Sequence, residues 1–264
     1  MKHPKLGQHF LNDTEIINLI IDQAKLLKSK NIIEIGPGAG ALTSKLIDIS
    51  KEYIGIELDV NLFNKFCDKY ENESLINFIN EDAGKFNFDR NLFADKDSYI
   101  VVGNLPYYAA NLIIRNLLVS KNKPSEMLVM IQKEVADTIL LNPPKMKFLS
   151  HAIKVYSEAE KIIDVNKGSF MPAPKVTSSI IKLKIFTDNK FEIDREEFIR
   201  FIKKGFSNPR KTLINSLYLS KFGSKKEIKD VIKSLKLDIN IRPGQINDSL
   251  WLKLYKIFEE KNED

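Results

Sequence analysis

The chain has 264 residues, 43% of them hydrophobic and 29% charged, with a net charge of +6: an ordinary balance for a folded protein of one large domain, or one domain plus a small one. A single cysteine, Cys67, excludes an internal disulfide, and with only three scattered histidines (His3, His9, His151) no metal cluster is expected. The apolar stretch over 16–21 is broken by Asn18 and stopped at Asp22, too short to span a membrane.

The opening MKHPKLGQHF lacks the apolar core of a secretory signal, and one cysteine suits a reducing compartment, so a cytoplasmic protein is expected. Asn12-Asp13-Thr14-Glu15 reads as a capping box, with Asn12 as N-cap and Glu15 three residues on, opening a helix that runs to about residue 27. An apolar run over 31–35 leads into a Gly-rich turn and a helix over 41–48. A strand over 53–57 and a helix over 60–70 follow, then strands over 75–80 and 99–103. A helix over 110–119, a strand over 127–132 and a strand over 178–186 complete the series. Alternating strands and helices, with strands apolar throughout, predict an α/β domain whose parallel sheet is covered on both faces. Ligands of such sheets sit beyond the carboxyl ends of the strands.

The last third reads differently. It shows amphipathic helical patterns around 196–204, 212–219, 225–235 and 246–258, and no clear strand. From residue 190 on there are 17 Lys and Arg against 12 Asp and Glu, a net of +5, so nearly all of the excess charge lies here. The polar stretch Thr187-Asp188-Asn189-Lys190 marks the boundary, giving domains 1–187 and 188–264.

The strand ends carry the chemistry. The first runs into Glu34-Ile35-Gly36-Pro37-Gly38-Ala39-Gly40, where Gly36 and Gly38 permit a tight turn and close approach of a ligand. The second ends at Glu57, 21 residues after Gly36, where a carboxylate can accept both hydroxyls of a ribose. The third ends at Asp82, suited to accept from the exocyclic amine of an adenine. A ligand-free turn and a capping aspartate explain each of these singly. In order, they point to a nucleoside-bearing cofactor, either NAD or S-adenosylmethionine.

The fourth strand ends in Asn104-Leu105-Pro106-Tyr107-Tyr108. The Asn104 side-chain oxygen and the Leu105 carbonyl offer two acceptors for a planar amine, Pro106 fixes the turn, and Tyr107 offers a face on which a base can stack. A plain strand-to-loop turn would also use Asn-x-Pro. For methyl transfer to adenine N6, two acceptors and a ring are the parts the chemistry needs, which favours S-adenosylmethionine.

These motifs resemble the ribosomal RNA adenine N6,N6-dimethyltransferases, and most closely the bacterial small-subunit type. The resemblance runs from Leu6-Gly7-Gln8-His9-Phe10-Leu11 through EIGPGAGALT, Glu57, Asp82 and NLPYY to Met130-Ile131-Gln132-Lys133-Glu134-Val135-Ala136, FMPAPKVTSS from Phe170 and NPRKTL from Asn208. It implies a Rossmann-like S-adenosylmethionine-dependent methyltransferase sheet with a small all-helical C-terminal domain. It further implies that His9, Leu11, Gly36, Gly38, Glu57, Asp82 and Asn104 bind S-adenosylmethionine, and that Asn104, Leu105, Pro106 and Tyr107 hold the target base, with Phe170 on the base's opposite face. The expected substrate is two adjacent adenines in the 3′-terminal hairpin of 16S rRNA in the small ribosomal subunit, with a role in ribosome biogenesis, and the family implies a monomer. His9 stands where the family usually has Asn, and Ala109-Ala110-Asn111 where it often has a small polar run.

Arg210, Lys211, Lys203 and Lys204 are expected to meet RNA phosphates, whereas Lys225, Lys226 and Lys229 read as a solvated face. The alternatives are a large-subunit rRNA adenine methyltransferase, which the PAPKVTSS and RKTL segments disfavour, and a protein acting mainly as a ribosome-assembly factor. An NAD-dependent oxidoreductase is more distant, because no hydride-transfer site is recognisable.

Overall fold

The computed structural model describes residues 8–27, 30–93, 98–189 and 192–263. His3, Leu6, Gly7 and Lys190, invoked above, lie outside the described residues. The chain forms two compact units, one of Met1–Ala136 with Ala159–Ile185, the other of Asp137–Glu158 with Phe186–Asp264. The second unit thus takes in 137–158, a segment that the sequence boundary at 187/188 put in the first domain.

The first unit begins with β1 (Phe10–Leu11) and α1 (Thr14–Lys25). The N-cap of α1 is Asp13 and not Asn12: one Asp13 oxygen accepts from the Glu15 and Ile16 N–H groups. The other accepts from Ser169 Oγ at 2.6 Å, which also holds the carboxyl below its usual range. This second anchor decides which of the two adjacent Asx residues caps the helix. Ile17, Ile20, Ile21 and Ala24 recur at the spacing of one helical face and pack into the core.

There follow β2 (Asn31–Ile35), α2 (Thr43–Ile49), β3 (Glu52–Ile56), α3 (Val60–Lys69) and β4 (Ile76–Ile79). After them come β5 (Tyr99–Asn104), α4 (Ala110–Val119), β6 (Glu126–Gln132) and α5 (Lys133–Ile139). Beyond α6 (Phe148–Lys154) the sheet is completed by β7 (Ser157–Val165) and β9 (Ser178–Ile185), with the short β8 (Phe170–Met171) between them. Seven strands lie in the order β4-β3-β2-β5-β6-β9-β7. The first five are mutually parallel and β9 runs antiparallel to β6. Every residue of β2 is buried, as are the first five of β5, which is why these strands show no polar–apolar alternation; Asn31 and Glu34 are the buried polar residues of β2. Each such Ile or Val contributes about 1.5–3 kcal/mol. A separate antiparallel ribbon pairs β1 with β8, Phe10 opposite Met171 and Leu11 opposite Phe170.

The second unit holds α6, α7 (Arg195–Gly205), α8 (Leu213–Leu219), α9 (Lys225–Ser234) and α10 (Asp248–Glu263). Its core is aromatic. Trp251 is fully buried with edge contacts from Phe201 and His151. The buried His151 ring directs Nδ1 at Asp248 Oδ1, 2.5 Å away. No helix among the described residues is long and apolar enough to cross a membrane.

Candidate active site

From β2 the chain moves outward through β3 to β4, then returns to the other side of β2 as β5. The carboxyl ends of β2 and β5 are therefore the point where strand order reverses, and a crevice opens there. Gly103 sets its geometry. A Cβ at that position would lie 2.4 Å from the Ile35 carbonyl oxygen, so only glycine lets β5 run this close to β2.

A cavity of about 300 Å³ occupies this position, at the small end of ligand pockets. His9, Leu11, Gly36, Gly38, Glu57, Asp82, Asn104, Leu105, Pro106 and Tyr107 all line it. Of the residues picked out from the sequence for this site, Phe170 is not among the lining. It is 3% exposed and packs in the core with Leu11, Leu128, Met130 and Ile180. Pairing β8 with β1 sets Phe170 opposite the buried Leu11.

Glu57 is almost wholly buried, and its two carboxylate oxygens divide their work. Oε2 accepts from the Gly38 N–H at 2.9 Å and Oε1 from the Asp59 N–H at 2.8 Å. Gly38 can present its N–H this way because its φ is +59°, a conformation glycine adopts at no steric cost. A carboxylate has about four lone-pair positions, so two remain for hydroxyl donors. Asp82 is used in the same way: Oδ1 accepts from the Gly84 N–H at 2.9 Å, and Oδ2 makes no bond among the described residues. Asn80 clamps the neighbouring strand end by donating to the carbonyls of Glu57 and Leu58.

At the end of β5 the Asn104 amide donates from Nδ2 to the His9 carbonyl at 3.2 Å, so Oδ1 is left as an acceptor. The Leu105 N–H donates to Met130 O, while the Leu105 carbonyl accepts nothing among the described residues. The Pro106 carbonyl accepts from Ala109 and Ala110 and begins α4. Tyr107 is held on two sides. Its hydroxyl bonds Ser178 Oγ at 2.8 Å, and its ring stacks with His9 at a centroid distance of 6.0 Å. His9 Nδ1 donates to the Pro172 carbonyl at 2.8 Å, so the imidazole spends that donor on the protein rather than on a ligand.

Among the lining residues given no role from the sequence are Glu34 and Tyr108. Glu34 is 2% exposed and accepts from the Tyr53 hydroxyl. Burial pushes its carboxyl up to about 7, against the Tyr53 bond, which acts in the opposite sense. The signal was present, since a lone carboxylate interrupts the apolar run NIIEI immediately before Gly36. Tyr108 is 69% exposed at the cavity wall. Partial burial, then the charges of Asp82 and Glu57, raise its hydroxyl above the usual range and keep it neutral. No group of three or more metal-ligating side chains occurs among the described residues.

A sheet of this order, with a glycine turn, two carboxylates and NLPYY at successive strand ends, defines a Rossmann-like methyltransferase. The chain belongs to the ribosomal RNA adenine dimethylase family, whose pattern matches residues 1–260. It is similar to the ribosomal RNA small subunit methyltransferase A of Fusobacterium nucleatum, with 33% identity over 98% of both chains. The protein of the same name from Streptococcus thermophilus is 37% identical over 92% of this chain and 86% of its own. Among solved structures, a dimethyladenosine transferase from Plasmodium falciparum superposes with a TM-score of 0.81 at 27% identity, covering 96% of this chain and 98% of that one. The 23S rRNA methyltransferase ErmE shares the fold with a TM-score of 0.70 at 22% identity, over 95% and 99% of the two chains.

Proposed function

We propose that the chain transfers methyl groups from S-adenosylmethionine to N6 of two adjacent adenines in the 3′-terminal hairpin of 16S rRNA, in the small ribosomal subunit or its precursor, in the cytoplasm. One observation carries this reading: two free acceptors, Asn104 Oδ1 and the Leu105 carbonyl, stand at one strand end beside the anchored ring of Tyr107.

The chemistry fits that arrangement. The lone pair of adenine N6 is delocalised into the ring, which makes it a weak nucleophile. Two acceptors gripping both N–H bonds draw density onto nitrogen and aim its lone pair at the donor methyl. No strong base is needed, because the proton leaves after nitrogen has become cationic. The carbonyl dipoles and the face of Tyr107 favour that positive charge as it develops. Catalysis is then mainly positioning.

The cofactor side fits as well. Glu57 keeps two lone-pair positions for ribose hydroxyls, Asp82 keeps Oδ2 for an adenine amine, and the Gly38 turn, at φ +59°, is fixed by its N–H bond to Glu57. Bound there, S-adenosylmethionine supplies an electrophilic methyl on a sulfonium. Leu11 of β1 and His9 just before it also line the cavity, and Phe170 seats the β1–β8 ribbon from within the core. The choice of the small subunit rests on the relatives of that name, which align over nearly the whole chain. The basic C-terminal region, with Arg210 and Lys211 between α7 and α8, serves to dock RNA.

The test is methyl transfer from labelled S-adenosylmethionine to small subunits lacking adenine dimethylation, with large subunits and naked rRNA in parallel and the product mapped by mass spectrometry. Dimethyladenosine in the 3′ hairpin of the small subunit is expected. Label confined to large-subunit RNA would overturn the choice of substrate.

A further inference from the structure

Arg210 and Lys211, assigned above to RNA docking, line a cleft of about 560 Å³ in the second unit. Its lining includes Arg210, Lys211, Lys225 and Arg242 and no acidic residue. None of the four makes an ion pair among the described residues. Cations gathered without a counter-charge repel one another, and an anionic ligand relieves that repulsion.

The cleft is not only basic. Tyr218, on α8, stands among the cations and is 44% exposed, with the Lys225 ammonium 5.1 Å from its ring centroid. Asn215 donates from Nδ2 to Thr212 Oγ1 at 3.0 Å, which leaves its side-chain oxygen free as an acceptor at the cleft wall. Cations alone suit any polyanion. An exposed aromatic face among them, with an amide oxygen alongside, suits a ligand that is both anionic and planar. A duplex keeps its bases stacked inside and cannot offer one to a ring in a cleft, whereas an unpaired nucleotide can. An acidic protein segment would use the cations and leave the ring idle.

We propose that this cleft binds an unpaired nucleotide of an RNA strand, with its base stacked on Tyr218 and its flanking phosphates on Arg210, Lys211 and Arg242. The choice of RNA as the polyanion rests in part on the rRNA-methylation reading, but the site is separate from the methyl-transfer cavity and does not depend on which base is modified.

The test uses the full chain with a labelled single-stranded decaribonucleotide and a blunt, fully paired ten-base-pair RNA duplex, read by fluorescence anisotropy over a salt series. A photoreactive 4-thiouridine strand, mapped by mass spectrometry, reports where the bases lie. The single strand should bind at least tenfold more tightly than the duplex and crosslink within 212–225. Base stacking predicts that Tyr218→Ala weakens the single strand about tenfold while Tyr218→Phe leaves it within about twofold. Arg210→Ala with Lys211→Ala should lower the log–log salt slope by about 1.4, near 0.7 per phosphate. Every variant is checked for unchanged melting temperature and S-adenosylmethionine binding.

Equal binding of duplex and single strand, with Tyr218→Ala silent, would reduce the cleft to a phosphate dock and overturn the proposal. Crosslinks confined to 104–108 would do the same, because the strand would then occupy only the methyl-transfer cavity. A decaglutamate peptide that binds as tightly and ignores Tyr218→Ala would mark an acidic-protein site instead. Lack of methyl transfer to any RNA by the same preparations would sink the reaction assigned to the cavity and leave the cleft result standing.

Discussion

In the cavity of the first unit, Glu57 holds two backbone N–H groups, Asp82 holds one, and Asn104 is tied to the His9 carbonyl. In the cleft of the second unit, Arg210, Lys211, Lys225 and Arg242 form no ion pairs among the described residues. The first arrangement spends part of each polar group on the protein so that the remainder points one way. The second leaves long side chains free to follow a strand. A methyl transfer needs the first, because misplacing the amine by a fraction of an ångström costs rate. Docking on a flexible polyanion tolerates the second, because each phosphate contributes affinity rather than aim.

Asn104→Ala is the most severe test of the cavity half of this contrast. It removes one of the two acceptors on the target amine. By analogy with loss of a single oriented group in other active sites, kcat should fall about 100- to 1000-fold. S-adenosylmethionine affinity, read by calorimetry, should change far less, since Glu57 and Asp82 are untouched. A matching loss of cofactor affinity would mean that Asn104 serves the donor and not the amine.

Glu34 tests the same preorganisation through stability. Its ordinary value of 4.5 is pushed up to about 7 by burial, so the folded protein keeps the proton after the unfolded chain has lost it. Stability from this group is full below about pH 4.5 and declines as pH rises through 7. The shift corresponds to about 3 kcal/mol across that window. Glu34→Gln keeps the shape and an acceptor for the Tyr53 hydroxyl but cannot ionise. The stability of the native protein relative to Glu34→Gln, followed by denaturant unfolding from pH 4 to 8, should fall with rising pH. A flat difference would mean that Glu34 is solvated, and that the floor of the cavity is wetter than its 2% exposure indicates.

Salt separates the two regions in one experiment. Raising salt from about 50 to about 200 mM should weaken a single-stranded RNA held by three phosphate contacts about 20-fold, from a slope near 0.7 per contact. Binding of S-adenosylmethionine should stay within about twofold, because its partners are buried hydrogen bonds rather than exposed charges. Equal salt sensitivity for both ligands would erase the contrast.

Much of the first unit could be read from the sequence because its signals are local. NIIEI and YIVVGN are mostly apolar runs without alternation, and the residues at or just beyond each strand end follow closely, so Gly36, Glu57, Asp82 and Asn104 reach the cavity as the strand ends demanded. What escaped depends on pairings distant in sequence. The β1–β8 ribbon joins Leu11 to Phe170 through two residues a side, too few to show periodicity, and both residues pack in the core. Asp13 outcompetes Asn12 as a cap through Ser169, 156 residues away. Lys225 reads as a solvated face along α9, yet it lines the cleft because Tyr218 of the preceding helix lies beneath it, whereas Lys203 and Lys204 do not line it. The charge state of Glu34 follows from burial, which no short stretch of sequence records.

The smallest expected effect is the sharpest on what Tyr107 does. Its hydroxyl is tied to the buried Ser178, and its ring is the surface assigned to the target base. Tyr107→Phe keeps the ring and deletes a neutral hydrogen bond contributing about 1 kcal/mol. If the bond only fixes the ring, kcat should fall about fivefold from looser placement, with S-adenosylmethionine affinity unchanged and stability lowered by about the same 1 kcal/mol. Tyr107→Leu, which removes the aromatic face, should then cost clearly more than Tyr107→Phe in kcat. A loss with Tyr107→Phe as large as that from Asn104→Ala would require the hydroxyl itself to act on the amine. The cavity would then rest on three acceptors rather than two and a ring, and Ser178 would be orienting a catalytic group instead of bracing a wall.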